Sequence, residues 1–162
     1  MFPLAVTGQT VEGAKDFLGR YAEMYAPATS KEFNEIQLFF EEINGNLLGF
    51  IDQRTEFKGS DMRFQVVFIF EISGIKDIRI MNKNNDDTHL SVDLFIREGY
   101  VSRMFDPNKM TPHEAIERGE HQNRISIILD DSAIDDNIHE RMKEALEFLV
   151  EHEGGSLVED EF

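Results

Sequence analysis

"TSKEFNEIQLFFEEINGNLLGFID", residues 29–52, can be folded in two ways, and the choice decides how many strands the chain offers. As a helix, Thr29-x-x-Glu32 makes a capping box, Phe33, Ile36, Phe40 and Ile43 share one face, and Gly45 follows the last turn. As a hairpin, Asn44-Gly45 is a strong two-residue turn signal set between apolar stretches. Strand alternation fails at Phe39 and Glu42, so the spacing favours a helix over residues 31–43, with Glu41 and Glu42 on its outer face. The hairpin stands as the competing reading.

Outward from that stretch the patterns are plainer. Upstream, Thr10 can cap a helix in which Val11, Ala14, Leu18, Tyr21 and Tyr25 recur at helical spacing before Pro27, although Gly13 and Gly19 weaken it. Downstream the period changes to two. Met62, Phe64, Val66, Phe68, Phe70 and Ile72 alternate on one side, and Val67 and Ile69 on the other mark an interior strand. "IKDIRIMN", "HLSVDLFIREG", "YVSRMF" and "RISIILD" read as further strands, with "KNNDDT" as a polar turn between the first two. Thr111-Pro112-His113-Glu114 opens a short helix ending near Gly119, and a longer helix is expected from Ser132 to about His152.

This order predicts one α+β domain over residues 1–153, a mainly antiparallel sheet of about five to six strands packed with N-terminal helices and a long C-terminal amphipathic helix. Residues 154–162 read as a flexible acidic tail.

Composition narrows the chemistry. The 162 residues include fourteen Phe and no Trp or Cys, so disulfides, zinc-thiolate sites and thiol nucleophiles are excluded. Thirty-two acidic against sixteen basic residues give a net charge of −16, which repels phosphates and disfavours direct binding to nucleic acid or anionic membrane. "MFPLAVTGQT" has no basic region and too short an apolar stretch for a signal peptide, so a cytoplasmic location is expected.

The densest titratable stretch is "DDSAIDDNIHE", residues 130–140. Ser132 suits a helix N-cap, and Asp135 three residues later suits the positive end of the helix dipole. Asp135 and His139 lie one turn apart, a spacing open to a metal pair, yet a site needs further ligands and supporting groups. Capping and solvation are the simpler explanation. His113, Glu117 and His121 recur every four residues without forming HExxH, and "NKNNDDTHL" lacks the Gly and distant Glu of an EF-hand loop. No nucleophile elbow, P-loop or dinucleotide fingerprint occurs, and no cofactor is expected.

The last helix carries more information. Ile134, Ile138, Met142, Ala145 and Leu149 form an apolar stripe, and Asp136, Glu140, Glu144, Glu147 and Glu151 form an acidic one facing away from it. From Asp130 onward twelve acids stand against two bases, −10 of the total −16. Successive carboxylates on that face are about 5–6 Å apart along the axis, comparable to phosphates along a nucleic-acid strand. The expectation is therefore a non-enzymatic interaction protein whose acidic face meets a basic surface of a protein partner. An inhibitor, an immunity or anti-defence protein, or a chaperone would fit, and a phage or mobile-element DNA mimic meeting a nucleic-acid-binding protein is the sharpest form. The alternatives are a carboxylate- and histidine-based hydrolase using a divalent metal, and a structural subunit of a larger assembly.

Overall fold

Residues 32–43 form a strand, not the favoured helix. The computed structural model describes residues 9–27, 32–82 and 90–158. In it β1 (Glu32–Ile43) pairs antiparallel with β2 (Asn46–Phe57) along the whole length of both strands. Asn44 and Gly45 close the hairpin with φ of 54° and 84°, the double left-handed geometry that Asn-Gly accommodates well. Alternation fails at Phe39 because β1 carries apolar side chains on both faces at its centre. Ile36 and Leu38 are buried on one side, while Phe39 stacks on Phe50 on the other, the rings 5.0 Å apart and 5° from parallel. The helical spacing of Ile36, Phe40 and Ile43 was outweighed by a twelve-residue ladder. Thr29, the cap of the rejected helix, lies outside the described residues.

β3 (Arg63–Glu71) joins β2 and β6 (Ser102–Phe105) as the interior strand, and β7 (Glu120–His121) completes a five-stranded sheet in the order β1-β2-β3-β6-β7. A 3-10 turn over Ile72–Gly74 leads into β4 (Ile75–Asn82). β4, β5 (Leu90–Ile96) and β8 (Arg124–Leu129) make a second antiparallel sheet. The expected polar turn at residues 83–88 lies outside the described residues. Phe70 and Ile72 are fully buried and Phe68 partly so, whereas Met62 and Phe64 on the same alternation are each 55% exposed. There Phe64 meets Phe57 edge-on at 5.7 Å.

Three α-helices complete the α+β domain among the described residues. α1 (Val11–Met24) is capped as expected, Thr10 accepting from Gly13 N–H at 2.9 Å. Gly19 has a packing role: a Cβ there would stand 2.8 Å from the Leu38 carbonyl, so its absence lets α1 approach β1. α2 (Pro112–Arg118) carries the complete capping box between Thr111 and Glu114. α3 (Ile138–His152) starts six residues later than expected. Asp130, not Ser132, acts as a cap, its Oδ1 accepting from Ser132 N–H at 2.9 Å to close a 3-10 turn over Asp131–Ala133. Asn137, at φ 56°, then redirects the chain into the helix without a side-chain cap. Ile134 consequently misses the apolar stripe and is 42% exposed.

The main core joins α1, α3, the inner side of the five-stranded sheet and the three-stranded sheet. A smaller core on the other side of the larger sheet holds Leu48, Phe50, Val67, Ile69 and Phe105 against Ala115 of α2. Residues 154–158, the first part of the expected tail, lie along β4. Gly155 N–H donates to Val150 O at 2.9 Å, Val158 N–H donates to Lys76 O at 2.7 Å, and Leu157 packs on the core. No helix among the described residues is long and apolar enough to cross a membrane.

Candidate interaction surfaces

α3 buries Ile138, Met142, Ala145, Leu146, Leu149 and Val150, and this apolar side fixes which residues face outward. Glu140 and Glu151 are exposed, and Glu144 and Glu147 are half-buried. Asp136 precedes the helix and is not one of its turns. Its carboxylate accepts a 2.8 Å hydrogen bond from Tyr25 Oη, and that bond raises the pKa of the phenol, with partial burial and the nearby negative charge adding to it. The acidic stripe is therefore four helical glutamates plus one aspartate tied to the end of α1.

The four glutamates have little cationic relief. Arg141 lies with its guanidinium 5.0 Å over the Phe17 ring and 5.8 Å from Tyr21, committed to α1. Lys143 is the remaining base on the helix. Desolvation pushes the Glu147 carboxyl above its usual range; Lys143 opposes the shift, while Glu144, Glu151 and Glu140 add to it by repulsion. Glu147 and Glu151 line a depression of about 510 Å³ with Lys143, Asp77 of β4 and Leu157.

The Asp135–His139 pair is not assembled. Asp135 is exposed in the turn, whereas His139 is buried with its Nε2 3.3 Å from the Leu90 carbonyl of β5. Burial holds the His139 pKa below its ordinary value, against the pull of that hydrogen bond and of Glu140. Among the described residues no group of three or more His, Asp or Glu side chains is placed to hold a metal ion. His113 and Glu117 stand on α2, but His121 has left the helix for β7, where its Nε2 lies 3.0 Å from Asn123 Oδ1.

Two features were not foreseen from sequence. Asp93 is fully buried on β5, accepting from Ser91 Oγ at 2.7 Å and from both Nε and Nη2 of Arg124, with the Nε contact at 2.7 Å. Arg124 and Arg79 also flank the Phe95 ring at 5.3 and 5.5 Å. Arg124 neutralises Asp93, and Asp77 pairs with Arg79 at 2.5 Å, so the cluster reads as a structural staple across the smaller sheet.

The other is a groove of about 580 Å³ on the face of the five-stranded sheet turned away from α1 and α3. Phe39, Phe50, Val67 and Phe105 form its floor, and Pro107, Met110 and Pro112 of the β6–α2 connection help to wall it. Placing residues 31–43 in a helix hid it, because Phe39 and Glu41 share a face only in a strand. Asn44-Gly45 was the signal that could have revealed it.

No protein-family model, curated protein or solved structure matches this chain. The functional reading therefore rests on these surfaces alone.

Proposed function

We propose that this chain is a non-enzymatic acidic interaction protein that docks on a basic surface of a protein partner through the outer face of α3. The observation that carries this reading is the set of Glu140, Glu144, Glu147 and Glu151 on the outer side of a helix whose other side is locked into the core. Rigid backing matters, because charges held in a fixed row can match a row of lysines or arginines without an ordering cost at encounter. The crowding that raises the Glu147 pKa supports the reading too, since a partner's cation would relieve it. The axial spacing of about 4.5–6 Å between successive glutamates suits a groove built for nucleic-acid phosphates. A protein that normally binds DNA or RNA is the sharpest form of this partner. A cytoplasmic location belongs to the same reading and accords with a chain without cysteine.

The test is a variant with Glu→Gln at positions 140, 144, 147 and 151, compared with wild type against the partner captured from the native host. Association should slow by about tenfold or more, and its salt dependence should flatten, because steering is the contribution such a row makes. Equal association rates and equal salt slopes would leave the row as a solubility device.

A further inference from the structure

We propose that the groove on the outer face of the five-stranded sheet binds an extended segment of a protein partner carrying the pattern basic–x–aromatic–x–basic. This goes beyond the acidic-helix reading and does not depend on it, since the groove faces away from α3.

The occupant follows from what lies along the two strands. Phe39 pairs with Phe50 across β1 and β2, and Phe39 remains 40% exposed although the ring it stacks on is buried. It presents an open aromatic surface at the edge of an apolar concavity, the kind of place where a partner's anchor residue makes most of its binding energy. Glu41 stands two residues beyond Phe39, and Asp52 two residues beyond Phe50, on the same face. Because the strands run antiparallel, the two carboxylates flank the stacked pair at opposite ends.

Their register positions are four residues apart, about 13 Å along the strand direction. An extended peptide repeats that spacing between side chains i and i+4 on one side, with i+2 midway. A Lys or Arg at each end would reach a carboxylate while the central ring covers Phe39.

Charge selects this occupant over a neutral one. Glu41 makes no hydrogen bond or ion pair among the described residues. Asp52 accepts from Gln65 at 2.9 Å and meets a half-exposed Arg54 at 3.5 Å, a pair weak enough to exchange. Glu114 on the far wall is satisfied by Arg118 at 2.6 Å and by Thr111. Among the described residues, Lys109 is the single cation of the lining. The groove is thus apolar in the middle and anionic at its ends.

The test uses the full chain, labelled for amide NMR, and three capped heptapeptides. The first contains Lys-Thr-Phe-Thr-Lys, the second replaces both lysines by glutamate, and the third replaces the phenylalanine by glycine. Saturable shifts at Phe39, Glu41, Phe50, Asp52 and Phe105 are expected with the first peptide, at least tenfold tighter than with the others. Glu41→Gln, an edge-strand change that leaves the core untouched, should weaken the first peptide at least threefold, and Phe39→Ala should abolish its binding. Equal binding of all three peptides, or shifts confined to α3, would overturn the proposal. So would saturation of the groove by neutral N-acetylphenylalanine amide as tightly as by the first peptide, which would make the site one for small apolar molecules. A wild-type dimer that Phe39→Ala dissociates would reassign the groove to a second copy of this chain.

Discussion

The outer face of α3 and the outer face of the five-stranded sheet are both open to solvent, yet they differ in chemistry. The helix offers a row of four carboxylates, two of them beside a polar depression, and the sheet offers a stacked aromatic pair in an apolar groove. Charges in an open row act at a distance, speeding encounter and responding to salt. Apolar surface in a cleft acts only on contact and governs how long a partner stays. Under the two proposals made above, the row would attract basic partners broadly and the groove would hold only those that present an anchor with the right spacing.

The sharpest way to break the comparison is to remove what lies beneath the helix. Leu149→Ala deletes a fully buried side chain directly behind the acidic face and should cost about 2–5 kcal/mol, read from the denaturant midpoint. A cost below about 1 kcal/mol would mean that α3 is not rigidly backed. Its charges would then lack the fixed spacing required of them.

The entry to α3 gives the next largest effect. Asp130→Ala should cost about 0.5–2 kcal/mol by freeing the Ser132 amide, whereas Ser132→Ala should stay within about 0.5 kcal/mol. Thermal melts of the two variants check this directly, and a reversed order would restore Ser132 as the cap.

Acid sharpens the contrast between the two sides of the same helix. The His139 pKa is depressed in the folded chain, so above its ordinary value of 6.5 both folded and unfolded forms hold it neutral and its contribution is complete. As the pH falls below 6.5 the unfolded chain takes up the proton first. Stability then drops until the depressed folded value is reached. Denaturant midpoints measured at pH 7.5, 6.5 and 5.5 should fall less in His139→Gln than in wild type. Parallel curves would show that His139 is not buried in the neutral form.

The smallest stability effect belongs to the acidic face itself. The variant with glutamine at 140, 144, 147 and 151 should melt at or slightly above the wild-type temperature, because like charges at helical spacing repel by only a few tenths of a kcal/mol per pair. A marked loss of stability would give those glutamates a role in folding, and the comparison would collapse.

Much of this architecture was legible in the sequence where one physical signal dominated. The capping box at Thr111 and Glu114, the alternation of Leu90, Val92 and Leu94, and the buried stripe of Ile138, Met142, Ala145 and Leu149 all appear in the structure. Legibility failed where two signals competed. Residues 32–43 have helical spacing on one reading and a hairpin turn at their end on the other, and pairing with β2 decided between them. In residues 130–137 several residues could cap, and the choice of Asp130 depends on contacts across the fold, among them Asp130 N–H donating to Tyr25 O at 2.7 Å. The glutamates of α3 were readable because a helix shows its faces in its own sequence. The groove was not, because its floor comes from four strands whose order no local pattern contains.

The two-residue turn at Asn44 and Gly45 makes the two faces of β1 a matter of parity. With both strand ends held by a loop of that length, even-numbered side chains such as Leu38 enter the core, and odd-numbered ones such as Phe39 and Glu41 line the groove. Sliding β1 by a single residue would exchange the two sets, sending a carboxylate inward and a leucine outward. Insertions or deletions of an odd number of residues within this strand are therefore expected to be the most disruptive. The groove can be reshaped by substitution far more easily than by any change of length.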